Sequence, residues 1–292
     1  MPVVDASWEG WLSSNVARGC SIDSMVDAMV QAGFTTEAAR AEVHKAFGKD
    51  PADAAVPVPA ASEAALDKAA PQTYQYDEPP VARGNVIRAH DRDVRVVMRC
   101  ERPQVIVFAD VLSPDECKEM IERSRHRLKR STTVNPDTGK EDVIRNRTSE
   151  GIWYQRGEDP FIEQMDRRIS SLMNWPVENG EGLQILHYGT TGEYRPHFDY
   201  FPPDQPGSAV HTAQGGQRVA TLVIYLNDVP DGGETIFPEA GMSVAATQGG
   251  AVYFRYMNGQ RQLDPLTLHG GAPVLGGDKW IMTKWMRERA YG

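Results

Sequence analysis

The residues of this chain best suited to chemistry are an imidazole and a carboxylate with one residue between them, His197 and Asp199. The surrounding sequence, residues 194–200, is predicted to be extended, and in a strand the side chains of residues i and i+2 point to the same face. The pair is therefore placed to bind one metal ion. A lone His-x-Asp pair is more often two polar residues on a solvated strand, so the prediction depends on a third ligand elsewhere.

The third ligand candidate is His269, which lies in a turn-rich segment far along the chain. Shortly after it, Lys279 stands at the start of a strongly apolar segment that opens with Trp280 and Ile281. A lysine in such a segment is expected to face a partly buried interior, where an ammonium group is unfavourable unless an anion pairs with it. The sequence therefore predicts that Lys279 binds an anionic co-substrate.

The elements that must position these residues form one domain, which is predicted to begin at about residue 81. A capping box at Ser113 and Glu116, with Pro114 in the first helical position, predicts the start of one helix. A second helix is predicted to start at Pro160. Helices on one side of a mostly antiparallel sheet are the expected architecture. The predicted strands are residues 105–108, 183–188, 194–200, 219–226, 242–246, 251–254 and 280–286.

A small helical domain, residues 1–48, is predicted to precede this one. Its clearest signal is the helical spacing of apolar residues from Ile22 to Val30, followed by a stop signal at Gly33. Residues 49–80 are rich in Ala and Pro and predict a linker, so the larger domain comprises residues 81–292. Two interpretations of the helical domain stay open. It either stabilises the chain by packing, or it recruits a protein partner or makes a self-contact.

Composition excludes some classes of protein. Of 292 residues, 40% are hydrophobic and 24% are charged, as in ordinary soluble globular proteins. The formal net charge of -9 disfavours a nucleic acid partner, whose phosphates require a basic surface. Three scattered cysteines without a CxxC pair indicate a reducing compartment. No membrane segment or leader is recognised, so a cytoplasmic location is expected, and the Ala-rich composition is typical of a bacterial source.

Taken together, His197, Asp199, His269 and Lys279 resemble the signature of the Fe(II)/2-oxoglutarate-dependent dioxygenases. More narrowly, the chain is similar to the prolyl 4-hydroxylase branch of that superfamily. The resemblance covers residues 103–288 and does not extend to the helical domain or the linker. The segments that carry it are residues 184–189, 196–199, 218–229, 232–238 and 279–285.

The resemblance implies a double-stranded β-helix, a jelly roll of the cupin kind, so that the whole chain is mostly β with flanking helices. It implies that Fe(II) is bound by His197, Asp199 and His269, a facial triad that leaves coordination positions open for co-substrate and O2. Asp199 further favours hydroxylation, because halogenating relatives lack this carboxylate.

The resemblance also implies 2-oxoglutarate as the co-substrate. Its distal carboxylate is expected to pair with Lys279, with hydroxyl groups from Tyr188 and Thr221 in support. Ascorbate is a further candidate cofactor.

Residues on the substrate side are implied with less support. Arg218 occupies a position from which relatives reach their substrate, and Arg145 and Arg147 match a segment at the edge of the cleft. The alternative for Arg145 and Arg147 is that they are surface arginines that pair with acidic residues. Tyr194 and Trp280 line the cleft or belong to the core.

The function implied is hydroxylation of prolyl residues in a peptide or protein, with release of succinate and CO2. Two polar segments, residues 131–147 and 201–217, are predicted as loops that fold over an extended substrate. One alternative is a hydroxylase of a free amino acid such as proline or pipecolate, or of a natural-product peptide. An alternative of another class is a metal-binding oxygen sensor or recruitment protein that acts through the helical domain.

Overall fold

The computed structural model describes residues 4, 6–17, 22–48, 73–134, 141–142 and 147–292. Most of the predicted linker, the tip of the predicted loop 131–147 and Arg145 lie outside the described residues. The chain divides into two compact units, Met1–Ala70 and Pro71–Gly292. Within the described residues, no helix has the length and apolar character that a membrane crossing requires.

The described residues of the first unit form three helices, α1 (Ala6–Ala17), α2 (Ile22–Gln31) and α3 (Thr36–Ala46). The Thr35 side chain caps α3 by accepting a hydrogen bond from the backbone N–H of Ala38 at 3.2 Å. The ring of Trp8 meets Phe34 edge-on, with 5.1 Å between ring centroids. The apolar face predicted for α2 is buried at Met25, Val26 and Met29 and packs with α3.

The second unit contains the remaining helices, α4 (Pro114–Ser124), α5 (Pro160–Met173) and α6 (Ser208–Thr212). Its strands are β1 (Val86–Ala89), β2 (Arg92–Glu101), β3 (Gln104–Ala109), β4 (Lys129–Arg130), β5 (Thr133–Val134), β6 (Glu141–Asp142), β7 (Glu150–Tyr154), β8 (Leu183–Tyr188), β9 (Tyr194–His197), β10 (Arg218–Tyr225), β11 (Asp231–Gly232), β12 (Thr235–Phe237), β13 (Met242–Val244), β14 (Ala251–Arg255), β15 (His269–Gly271), β16 (Val274–Gly276) and β17 (Lys279–Arg287).

Two antiparallel sheets dominate this unit. The larger has the order β1-β2-β3-β14-β10-β17-β8-β7-β4, and the smaller has the order β13-β12-β15-β9. Strand β10 is buried on both faces: Leu222 and Ile224 belong to one core cluster, while Val223 and Tyr225 belong to another. The second cluster also contains Phe237 of the smaller sheet, so the two sheets pack face to face. This is the jelly-roll arrangement expected of the catalytic domain.

Helices α4 and α5 cover the other face of the larger sheet. The predicted capping box is present, since the Ser113 and Glu116 side chains each bond the other's backbone N–H, at 3.2 and 2.8 Å. Asp159 caps α5, with Pro160 in the first helical position. The buried side chains of α4 and α5 pack on the sheet in the first core cluster, with Met120 and Ile169 fully buried.

Three features differ from the sequence prediction. Strand β9 ends at His197, so Asp199 lies in a bend after the strand. The prediction missed strands β1, β2, β11, β12, β15 and β16, and β15 begins at His269. Residues 73–80, assigned to the linker, pack on the second unit, where Asp77 forms an ion pair with Arg255 at 2.5 Å. Local composition does not reveal this packing, because the partners of the segment lie far away in the sequence.

Candidate active site

Strand pairing brings the predicted metal ligands together. In the pairing of β15 with β9, His269 lies directly opposite His197, and their ring centroids are 4.4 Å apart. The bend after β9 turns Asp199 between them, with its carboxylate oxygens 3.7 Å from His197 Nε2 and 3.6 Å from His269 Nε2. One ligand atom from each residue lies within 4.8 Å of the others. Two short strands and a bend therefore assemble three residues into one cluster.

The protonation of both rings suits metal binding. His197 Nδ1 lies 2.9 Å from the carbonyl oxygen of Arg195, and His269 Nδ1 lies 3.0 Å from that of Thr267. A carbonyl only accepts hydrogen bonds, so each Nδ1 carries a proton, and it is Nε2 of the neutral ring that offers a lone pair to a metal. Burial also lowers the pKa of His269 to about 4, which keeps the imidazole neutral. Two neutral imidazoles and a carboxylate are the donor set of non-haem Fe(II).

The carboxylate of Asp199 is held ionised and oriented. Burial alone would raise its pKa, but the surrounding groups, including the charged guanidinium of Arg218, hold that pKa well below its usual range. Thr221 Oγ1 donates a 2.7 Å hydrogen bond to one carboxylate oxygen and lies 3.2 Å from the hydroxyl of Tyr256. An outer partner of this kind fixes a ligand's orientation.

This contact corrects the prediction that Thr221 supports the distal carboxylate of 2-oxoglutarate. Thr221 lies four residues before Tyr225 on β10, and it is Tyr225 that lies near Lys279. Four strand residues span roughly 13 Å, so the Thr221 hydroxyl is at the metal rather than at the lysine.

Lys279 lies in the same cavity at the start of β17. It is paired across the sheet with Tyr188, and Nζ lies 5.7 Å from the centroid of that ring and 5.9 Å from that of Tyr225. Only 3% of Lys279 is exposed, yet no described residue lies within ion-pair or hydrogen-bond distance of Nζ. Burial lowers its pKa to about 8, an effect that Glu234 partly offsets. A buried ammonium without a counter-ion is a ready site for an anion.

Two hydroxyl groups near Lys279 were missed in the sequence. Tyr225 donates a 2.8 Å hydrogen bond to Thr235 Oγ1, and both side chains are buried. Thr235 lies opposite Gly271, where an added Cβ would come within 3.8 Å of Lys279 Nζ. Both Tyr225 and Thr235 lie in segments that carry the family resemblance, residues 218–229 and 232–238, but their positions in the sequence do not show that their side chains meet beside Lys279.

The metal cluster and Lys279 line one cavity of about 600 Å³. Its wall carries several aromatic side chains. Tyr194 stacks on the ring of His197 with 3.6 Å between ring centroids, and the ring centroids of Trp153 and Trp285 are 5.5 Å apart. The indole N–H of Trp285 is buried and has no hydrogen-bond partner among the described residues. The wall therefore offers aromatic surface beside the metal cluster.

Arg218 also lines the cavity, but its guanidinium is already engaged. It bonds both carboxylate oxygens of Glu181, at 2.6 and 2.9 Å, and donates to the Asp199 carbonyl at 3.3 Å. It also lies over the ring of Trp285, 4.2 Å from the centroid. Arg287 shares Glu181 at 2.6 Å. Arg218 is thus fixed by Glu181 and holds the backbone beside the metal cluster.

The other predicted cleft residues differ in their placement. Arg147 lines the cavity, donates to Ser149, Thr132 and Gln184, and lies over the ring of Tyr194 at 4.8 Å from the centroid.

Trp280 does not line the cavity. It packs in the core cluster on the far face of the sheet, where its ring centroid lies 4.4 Å from that of His187 and its indole N–H donates to Asp278 at 2.9 Å. Of its two predicted placements, the structure shows the core.

Comparison with known proteins agrees with this arrangement. Residues 183–287 match the model of the 2OG-Fe(II) oxygenase superfamily. Over 208 residues the chain is 40% identical to the probable prolyl 4-hydroxylase 10 of Arabidopsis thaliana, with 65% of this chain and 70% of that relative covered. The chain belongs to the prolyl 4-hydroxylase family. It is therefore a 2-oxoglutarate-dependent dioxygenase, and the family predicted from the sequence is confirmed.

Other prolyl hydroxylases are also similar to this family member. The mouse prolyl 4-hydroxylase subunit alpha-1 is 37% identical over 189 residues, which cover 65% of this chain and 35% of that protein. A viral collagen prolyl hydroxylase from Paramecium Bursaria Chlorella virus-1, solved as a 2OG complex, is 26% identical. That comparison covers 63% of this chain and 95% of the viral chain, with a TM-score of 0.49.

Proposed function

We propose that this prolyl 4-hydroxylase family member hydroxylates prolyl residues within a peptide or protein, using Fe(II), O2 and 2-oxoglutarate and releasing succinate and CO2. The observation that carries the proposal is one cavity lined both by the His197, Asp199 and His269 cluster and by the unpaired Lys279. The names of the relatives supply the class of substrate.

Each end of the cavity has its own task in this proposal. His197, Asp199 and His269 hold the iron, which when bound supplies the oxidative chemistry. Lys279 pairs with the distal carboxylate of 2-oxoglutarate, with Thr235 and its hydroxyl as a neighbouring donor.

The aromatic wall binds the substrate chain. Proline rings pack well on aromatic side chains, and Trp153, Tyr194 and Trp285 lie along the cavity. Arg218 keeps this wall in place, because Glu181 fixes it beneath Trp285.

A peptide hydroxylation assay tests the proposal directly. Purified protein with Fe(II) and 2-oxoglutarate is incubated with proline-rich peptides, and mass spectrometry follows the gain of one oxygen together with succinate release. His197→Ala serves as the inactive control. Turnover of peptides but not of free proline is expected. Turnover of free proline or pipecolate alone would replace the peptide by a free amino acid, and no 2-oxoglutarate turnover with any substrate would refute the enzymatic proposal.

Further parts of the proposal rest on the sequence. Ascorbate is proposed to sustain repeated turnover, and its omission from the assay tests this. The helical unit, residues 1–48, is proposed to bind a protein partner or a second copy of the chain. A cytoplasmic location is proposed from cysteine usage and composition.

A further inference from the structure

A short segment, residues 73–78, runs across the chain just before His269, and we call it the strap. The backbone N–H of Gln75 donates to the side chain of Gln262 at 2.9 Å, and its carbonyl accepts from Asn258 at 2.8 Å. Asp77 accepts from the backbone N–H of Gly259 at 2.8 Å. The strap is therefore fastened to residues 258–264, which lead directly into the turn before the third metal ligand.

One side chain of the strap reaches the start of that turn. The hydroxyl of Tyr76 donates a 2.8 Å hydrogen bond to Oδ2 of Asp264, a residue with 1% exposure. The other carboxylate oxygen accepts the backbone N–H of Leu266 at 3.0 Å, and the Asp264 carbonyl accepts the Thr267 hydroxyl at 2.7 Å. Asp264 thus fixes the turn Pro265–Thr267, and Tyr76 fixes Asp264.

The turn Pro265–Thr267 orients His269. The carbonyl of Thr267 accepts the hydrogen bond from His269 Nδ1 at 3.0 Å, which selects the tautomer and the ring plane. The backbone N–H of Asp264 donates to the carbonyl of Tyr256. The hydroxyl of Tyr256 lies 3.2 Å from that of Thr221, which donates to the metal ligand Asp199. Loss of an outer hydrogen bond of this kind typically weakens metal binding about 10- to 100-fold.

We propose that Tyr76 is a positioning residue for the metal site: through Asp264 and the turn Pro265–Thr267 it holds His269 in the orientation that binds metal. The strap therefore raises metal affinity without contacting the metal. This inference rests on the metal site of the proposed function.

A neighbouring tyrosine provides a matched control. Tyr74 lies on the same strap, and its ring meets that of Tyr76 edge-on with 4.7 Å between centroids. Its hydroxyl is buried but has no hydrogen-bond partner among the described residues. Tyr74→Phe and Tyr76→Phe therefore remove the same atom from the same segment, and only the second change breaks the link to Asp264.

The test is calorimetric titration of the metal-free full chain with Co(II), together with the visible spectrum of the Co(II) form and thermal unfolding of the metal-free form. Tyr76→Phe is expected to weaken Co(II) binding about threefold to tenfold. This loss is smaller than the 10- to 100-fold typical of an outer hydrogen bond, because the bond from Tyr76 to Asp264 does not contact a metal ligand directly. Its Co(II) spectrum should also change, whereas Tyr74→Phe should match the unaltered protein. Unchanged affinity and spectrum in Tyr76→Phe, or an equal loss in both variants, would overturn the inference.

Two further variants keep the outcome decisive. If Tyr76→Phe does not fold, Thr267→Val breaks the next bond in the same chain, and unchanged Co(II) binding by that variant would overturn the inference. His197→Ala tests the metal site itself. If His197→Ala binds Co(II) as tightly as the unaltered protein, the proposed metal site is wrong and the inference fails with it. If His197→Ala loses Co(II) binding but Tyr76→Phe binds Co(II) as the unaltered protein does, the metal site stands and only the inference about Tyr76 fails.

Discussion

The two ends of the cavity balance their charges in opposite ways. At the metal end, comprising His197, Asp199 and His269, the carboxylate lies between two imidazoles and accepts a hydrogen bond from Thr221. At the anchor end, comprising Lys279, Tyr188 and Thr235, the ammonium has no partner among the described residues. The ligands at the metal end are oriented by hydrogen bonds within the protein, while the anchor end lacks the one charge that a dicarboxylate would supply.

This difference suits two kinds of ligand. An ion is held by geometry, so its ligands must be fixed in advance by outer hydrogen bonds. A dicarboxylate is held at its distal end by charge in a buried site, where an unpaired ammonium gains most from an arriving anion. Variants at the two ends should therefore affect different measurements.

The largest effect is expected at the metal end. Asp199→Ala removes the carboxylate of the cluster and leaves two imidazoles. Co(II) binding and 2-oxoglutarate turnover should each fall by more than about 100-fold, because losing a metal ligand costs more than losing a hydrogen-bond partner of a ligand. Calorimetry and succinate release measure the two losses, with circular dichroism as the control for folding. Retention of tight Co(II) binding would show that Asp199 is not a ligand.

Lys279→Met should produce the next largest effect, confined to the anchor end. Removing one partner of a buried ion pair costs about 3–5 kcal/mol, which corresponds to at least about 100-fold in the KM for 2-oxoglutarate. Co(II) affinity should not change. Because a buried unpaired charge is removed, the ligand-free variant should also unfold at a higher temperature than the unaltered protein. An equal loss of metal binding would contradict the separation of the two ends.

The pH dependence of 2-oxoglutarate binding probes the anchor end without mutation. Burial lowers the pKa of Lys279 to about 8, with Glu234, Tyr188 and Tyr225 as its neighbours. The ammonium is lost as pH rises through that value, so affinity should weaken about tenfold between about pH 7 and about pH 9. Lys279→Arg is the control, because a guanidinium stays charged and should remove the dependence. A flat profile in the unaltered protein would contradict the prediction.

The same shift has a defined consequence for stability. The pKa of Lys279 in the folded state lies below its unfolded value of 10.5, so the unfolded state binds more protons between these two values. The contribution of this group to the free energy of unfolding should therefore rise with pH across that interval. Denaturant titrations of the unaltered protein and of Lys279→Met at several pH values measure this contribution as the difference between their free energies of unfolding.

The smallest effects come from a matched pair of threonines. Thr221→Val removes the hydrogen bond to Asp199, so it should weaken Co(II) binding about threefold to tenfold and leave the KM for 2-oxoglutarate unchanged. Thr235→Val should do the reverse, because its hydroxyl lies in the wall beside Lys279. Calorimetry with Co(II) and steady-state kinetics distinguish the two. If both variants altered the same constant, the two ends would not be independent.

Much of the fold was predictable because its signals are local. The capping box at Ser113 and the proline at the start of α5 act within a few residues, and helices begin there as predicted. The strand carrying Asp199 was predicted too long, because the bend after His197 is set by the pairing of β9 with β15 rather than by local preference. The strap was assigned to the linker for the same reason, since Tyr76 meets Asp264 only in the folded chain.

The sequence by itself determined the family and the set of residue types in the cavity, because His197, Asp199, His269 and Lys279 carry that information in their order and spacing. Only the tertiary structure decided which hydroxyl serves which end. Thr221 and Thr235 are both strand threonines, and register alone directs the first to Asp199 and the second toward Lys279. Register depends on pairing between distant strands, so no local pattern in the sequence contains it.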